Sequence, residues 1–243
     1  MAEFALREHR TSEVMVYLAS KFYFSGTSKT EPSPAKYLAE QLPVKERTVY
    51  NHLNWLINRN WIGKDYHSGW YHFRGLNTIH QNEGWKFSRA VRMKPKDLFN
   101  IKPFLMGAFI ASLVKTWKRG KETERNSRRS EQLYYPVSYS AIAKILKMDR
   151  STVKRIIKHS QKLGFLKMEE NLIKVKNLSI SDVNKAKQLD LPVLRVDLIG
   201  SSDDKVVPLD RFRFKNNEVF IQEPNLIYPL LEFKSRRGLS KYR

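Results

Sequence analysis

The sequence predicts a mainly α chain with small β wings, of the α+β class: two helix-turn-helix units followed by a β-rich C-terminal segment. Three observations predict it. Residues 137–166, VSYSAIAKILKMDRSTVKRIIKHSQKLGFL, read as a short helix, a tight turn and a second helix whose exposed face is crowded with Lys and Arg. Residues 35–62, AKYLAEQLPVKERTVYNHLNWLINRNWI, repeat that pattern. Beyond residue 190, runs rich in β-branched and aromatic residues are separated by turn-forming residues.

In chain order, residues 12–24 place Val14, Tyr17, Leu18 and Phe22 on one helix face, with Ser12 as the N-cap and Gly26, Thr27 and Ser28 as the stop. A Pro-containing loop leads into the first helix pair. The two pairs align residue by residue: Ala39 with Ala143, Leu42 with Leu146, Val44 with Met148, Thr48-Val49 with Thr152-Val153, Leu53 with Ile157, and Trp61-Ile62 with Phe165-Leu166. The small Ala lets two helices cross closely, and Leu42, Val49 and Leu53, with their counterparts, wedge between them. The preceding helices also echo each other in Leu18-Ala19-Ser20 and Ile110-Ala111-Ser112, so the repeat is a three-helix unit present twice. Asp149 is the expected N-cap of the last helix, where the first copy has Lys45.

After the first pair, WIGKDY and WYHFRG flank the turn His67-Ser68-Gly69 and predict a hairpin. In the second copy, residues 165–176 predict another, with Glu170-Asn171 at its turn. The apolar run Pro103–Trp117 predicts a buried core helix, too short to span a bilayer. Residues 86–93 read as a strand or extended arm, and 118–136 as an exposed basic loop. Residues 179–189 predict a short helix capped by Ser179 or Ser181. Strands follow at 191–199, 206–214 and 218–224, with the last turn at Lys215-Asn216-Asn217. The domains so drawn are 1–75, the first unit; 76–97, a linker or arm; 98–176, the second unit; 177–233, a short helix and β-hairpin segment; and 234–243, a basic tail.

The charge narrows the function. A net +21 and a pI near 10.1 call for a polyanionic partner. The excess is uneven: residues 115–176 hold 17 Lys/Arg against 6 Asp/Glu, whereas 177–233 hold 7 against 9. With no Cys, disulfides and thiolate metal sites are excluded. His67, His72 and His80 lack zinc-ligand spacing or an HxH pair. Asp203, Asp204, Asp210, Glu218 and Glu223 fall on a turn and exposed strand positions rather than in a nuclease cluster, and no GxxxxGK loop is present. The expectation is a soluble, cytoplasmic, nucleoid-associated protein that is no enzyme and needs no cofactor.

The site residues follow from the helix faces. On the second recognition helix Arg150, Ser151, Lys154, Arg155 and Lys158 point outward. Arg155 is the expected base reader through a guanine's two acceptors, and Lys154 and Lys158 the expected phosphate contacts. Thr152 and Thr48 sit in first turns, where a hydroxyl and free amides can meet a phosphate. The first recognition helix presents Glu46, Arg47, Tyr50, Asn51 and Asn54, of which the Asn residues suit adenine. Lys64 on the first hairpin and Arg128-Arg129 in the basic loop complete the expected DNA contacts.

These two stretches, AEQLPVKERTVYNHLNWLINRNWIG and AKILKMDRSTVKRIIKHSQKLGFL, resemble the winged helix-turn-helix superfamily, matched over roughly 12–75 and 98–176. The fold so implied is two winged helix-turn-helix units plus a β-rich C-terminal segment. Two such units in one basic chain are similar to plasmid or phage replication initiators and mobile-element regulators. The resemblance implies a sequence-specific binder of double-stranded DNA acting by occupancy, in transcription or at a replication origin. The alternative is an architectural or protein-interaction module, a homodimer or the partner of another protein, that binds nucleic acid non-specifically.

Overall fold

The computed structural model describes residues 1–24, 27–28, 34–85, 91–124, 135–199 and 204–231, and its fold is of the α+β class. The first elements are α1 (Ala2–Arg7) and α2 (Thr11–Tyr23). Helix α1, unforeseen in the sequence, buries Phe4, Ala5 and Leu6. Helix α2 starts at Thr11 with Arg10 at its N-cap, so Ser12 lies inside the helix rather than capping it. It buries residues on nearly every side, and Tyr17 Oη donates to the Arg74 carbonyl at 2.8 Å. Phe22, expected on the buried face, is 47 % exposed.

Strand β1 (Thr27–Ser28), α3 (Pro34–Gln41), α4 (Glu46–Asn58), β2 (Ile62–Lys64), β3 (Tyr71–Phe73) and α5 (Leu76–Asn82) follow. Thr27 and Ser28 thus form a strand, not merely a helix stop. Helix α4 buries Val49, Leu53 and Leu56, the one-turn spacing of an amphipathic helix. The sheet order is β1-β3-β2, antiparallel, with Ile62 opposite Phe73 and Lys64 opposite Tyr71. Helix α5, taken from sequence as linker, belongs to this body: Ile79 is fully buried, and Trp85 packs edge-on against Trp61 and His80.

A 3-10 turn (Pro95–Asn100) leads into α6 (Ile101–Glu124), then β4 (Tyr135–Pro136), α7 (Tyr139–Leu146), α8 (Arg150–Lys162) and β5 (Leu166–Lys174). Helix α6 buries Phe104 to Met106 and Ala108 to Ala111 all round, as a core helix does. By length and composition Pro95–Val114 could cross a membrane, but 67 % of that window is buried in the fold. The helix continues through residues 118–124, which the polar composition had suggested were loop. Residues 125–134 lie outside the described residues, as do 86–90 and the basic tail.

Helices α4 and α8 are the same length and end the same way. Asn60 (φ 62) and Gly164 (φ 73) adopt left-handed conformations one residue past the C-caps. The amides of Trp61 and Phe165 then reach back to the carbonyls of Leu56 and Ser160, at 2.9 and 3.0 Å. Both termini are therefore Schellman motifs, which satisfy the last carbonyls of the helix.

The second copy departs from expectation after α8. Strand β5 runs unbroken through Glu170 and Asn171, so no hairpin turns there. The remaining elements are α9 (Ile180–Gln188), β6 (Val193–Val196), β7 (Lys205–Pro208) and, past a 3-10 turn at Leu209–Arg211, β8 (Phe212–Lys215) and β9 (Glu218–Pro229). The strand expected at 206–214 is thus broken in two. Strand β9 is the middle strand of a sheet ordered β4-β9-β5, with β8 also paired to β9. The first sheet has the same arrangement, but there β3 follows β2 after a short hairpin. Here residues 175–217 intervene, with their own core of Val175, Val183, Val196, Leu198, Val207 and Phe212, joined by Val219 and Ile221 of β9. Ser179 caps α9 in a capping box with Asp182. Asn216 and Asn217, both at positive φ, form the two-residue turn between β8 and β9.

The chain divides into two compact units. The first comprises 1–128, 143–166 and 229–243, and the second comprises 129–142 and 167–228. Both helix pairs therefore fall mainly in one unit instead of in separate domains at 1–75 and 98–176. The sequences of the units differ sharply in charge. The first carries 34 Lys/Arg and 13 Asp/Glu, the second 11 of each, so the whole net +21 belongs to the first.

Candidate nucleic-acid interface

Helix α8 is built with two unlike faces. Val153, Ile156, Ile157 and Ser160 turn inward. The Ser160 hydroxyl donates to the Pro103 and Ile156 carbonyls, at 2.8 and 2.9 Å, so it faces α6 rather than α7. Arg150, Ser151, Lys154, Arg155 and Lys158 are all exposed. Arg150, Lys154, Lys158 and Lys162 recur every fourth residue in one stripe, with Arg155 beside it. No ion pair joins any of these five cations to an acid among the described residues. Like charges so spaced destabilise a helix by about 0.2–0.5 kcal/mol per pair, a cost that a bound polyanion reverses. Asp149 occupies the N-cap position, but its side chain makes no cap hydrogen bond, so the expected cap is positional only.

Thr152 is half-buried in the first turn of α8 and lines a small cleft with His9, Lys147, Met148 and Asp149. His9 and Lys147 both hold positive φ, at 55° and 51°. Sequence reasoning missed these two residues: His9 is far away in the chain, and only folding brings it to this helix end.

Helix α4 presents a different surface. Glu46, Arg47, Tyr50 and Asn51 are exposed, as the spacing predicted, but Asn54, expected on the same outward face, is half-buried. Its one acid and one base cancel, and Thr48 is half-buried in the first turn like Thr152. Beneath it, Glu13 of α2 is buried, accepting from Arg10 Nη1 at 2.9 Å and lying 3.6 Å from His52 Nδ1. Burial holds the His52 pKa below its ordinary value; Glu13 opposes that shift and Arg10 adds to it.

The first hairpin carries Lys64, whose Nζ lies 5.1 Å from the Tyr66 ring centroid and 5.4 Å from that of Tyr71. Its loop is internally braced. Asp65 accepts from the His67 amide at 2.9 Å and from the Ser68 hydroxyl, contacts that hold its carboxyl below the usual carboxylate range, the hydroxyl foremost.

No protein family, curated protein or solved structure matches the chain.

Arg128 and Arg129 lie outside the described residues. The outward residues of α8 share one face and those of α4 another, each on its own helix. His67 and His72 are exposed on the hairpin, but His80 belongs to α5, half-buried against Trp85. Among the described residues, no three His, Asp or Glu gather where they could hold a metal.

Proposed function

We propose that this chain is a tandem winged helix-turn-helix protein that binds double-stranded DNA sequence-specifically and acts by occupancy. Its role is that of a transcription regulator or replication-origin binder of a mobile element, working on the nucleoid. The observation that carries this reading is the cationic face of α8, which has no ion pair among the described residues, within a unit that holds the entire net charge. Such a face matches a phosphate backbone on either side of a major groove. Arg155 reads a guanine edge, a bidentate contact worth about 1–3 kcal/mol of discrimination. Lys154 and Lys158 hold phosphates, as do Arg150, Ser151 and Thr152. Arg47, Tyr50, Asn51 and Asn54 form the second, weakly charged reader.

Selection from random duplexes followed by footprinting tests the proposal. Wild-type protein yields a consensus and a protected site, and Lys154→Ala with Arg155→Ala abolishes protection. A double variant with an unaltered footprint, or selection without a consensus, sinks it.

A further inference from the structure

Tyr66 is the most exposed large hydrophobic side chain among the described residues, at 77 %, and the duplex-binding reading leaves it unused. It is not carried on a slack loop. The Asp65 amide donates to the Trp70 carbonyl at 2.9 Å, the Asp65 carboxylate ties down His67 and Ser68, and Gly69 closes the turn at φ 70. The Lys64 ammonium sits 5.1 Å from the Tyr66 ring centroid, within cation–π range, and 5.4 Å from that of Tyr71, itself 5 % exposed. An open aromatic face beside a fixed cation offers two things to one nucleotide: a surface for the base and a counter-charge for its phosphate. A paired duplex presents base edges, not base faces, so its interior cannot use such a ring. The outward face of α8 carries five cations and no Phe, Tyr or Trp, and suits the duplex instead.

We infer that Tyr66 and Lys64 form a stacking site for an unpaired base of single-stranded DNA, the ring taking the base and the ammonium the adjoining phosphate. The inference rests on the nucleic-acid reading of the chain and adds a second substrate form to it. It gives the first hairpin work that α8 does not do.

Fluorescence anisotropy of the full chain with labelled oligo-dT, and with the tightest duplex from selection, tests it. Tyr66→Ala weakens oligo-dT binding by between about 5- and 100-fold and leaves duplex binding unchanged. Tyr66→Phe keeps both, and Lys154→Ala with Arg155→Ala weakens the duplex more than oligo-dT. A melting curve matching wild type excludes misfolding of Tyr66→Ala. Unchanged oligo-dT binding by Tyr66→Ala overturns the stacking site alone. Equal losses on both probes also overturn it, placing the hairpin along the duplex. Wild-type protein that binds neither probe overturns the nucleic-acid reading itself.

Discussion

The helical repeats that end in α4 and α8 agree where they are buried and capped, and disagree where they face solvent. Val49 and Val153 are both fully buried, Leu53 and Ile157 nearly or wholly so, and the Schellman termini match bond for bond. Outside, α8 carries five cations and no acid, whereas α4 is electrically neutral. Inside, His52 of α4 occupies the position that Ile156 holds in α8, so an ionisable contact with Glu13 replaces an apolar one. Packing and capping constrain the helix, but the face it offers a partner is free to diverge. The same holds for the sheets: one arrangement is closed by a hairpin in one case and by a long insertion in the other.

The largest expected effect separates the two cores. Trp61 is fully buried among Phe4, Tyr17, Trp55 and Trp85, and its Nε1 donates to Glu83 at 2.7 Å; among the described residues Phe165 has one aromatic partner, Phe104. Trp61→Ala should lose about 3–5 kcal/mol in denaturant unfolding, more than Phe165→Ala. Equal losses would mean the two aromatic positions are interchangeable after all. Next, a Cβ on Gly107 would meet the Phe165 Cβ at 3.0 Å and Leu231 Cδ1 at 3.1 Å. Gly107→Ala should cost about 1–3 kcal/mol by overpacking, and a neutral result would show that α6 and Phe165 can separate.

On the outer faces, Lys158→Ala should reduce the slope of log affinity against log salt by about 0.9, and Asn51→Ala should leave it alone. Identical slopes would erase the proposed division between the helices. At the shared left-handed position, Gly164→Ala should lose about 1 kcal/mol and Asn60→Gly far less, measured by thermal unfolding. The smallest effect concerns His52. Its folded pKa lies below 6.5, so as pH falls through that value the unfolded chain binds the proton first and the fold loses stability. His80, lowered by burial, acts in the same direction. His52→Gln should flatten the decline below about pH 6.5, the ordinary His value; an unchanged pH profile would leave the Glu13–His52 contact without titrating consequence.

What could be read from sequence was whatever is local. The helix pairs declare themselves through apolar spacing, the start of α9 through the serines Ser179 and Ser181, of which Ser179 is the one that caps, and the last hairpin through Asn216-Asn217. What was misread was settled by distant residues. Helix α1 is six residues long, too short to show a period, and α5 hides in a polar stretch anchored by Ile79 alone. Glu170 and Asn171 look like a turn because both are polar, yet strand β9, far along the chain, gives them a partner and keeps them extended. Residues 118–124 are too charged to suggest helix, but they continue one that is already nucleated. Of the expected site, the outward residues of α4 and α8 were legible from periodicity. His9 and Tyr66 were not, because their significance depends on proximity and on exposure.

The late arrival of β9 also sets a timetable. The first sheet can close once residue 73 has been made, because β1, β2 and β3 are neighbours in sequence. The second must wait: Tyr135 pairs with Ile227, and among the described strands β5 has its neighbour in β9. During synthesis the first repeat is therefore complete while β4 and β5 still present unpaired edges, the state in which strands are most prone to mispair. Only after some ninety further residues does the centre strand slot in, a long loop closure whose entropy cost grows slowly with length but whose search is slow. Folding of this chain is ordered in time by where one strand lies in the sequence.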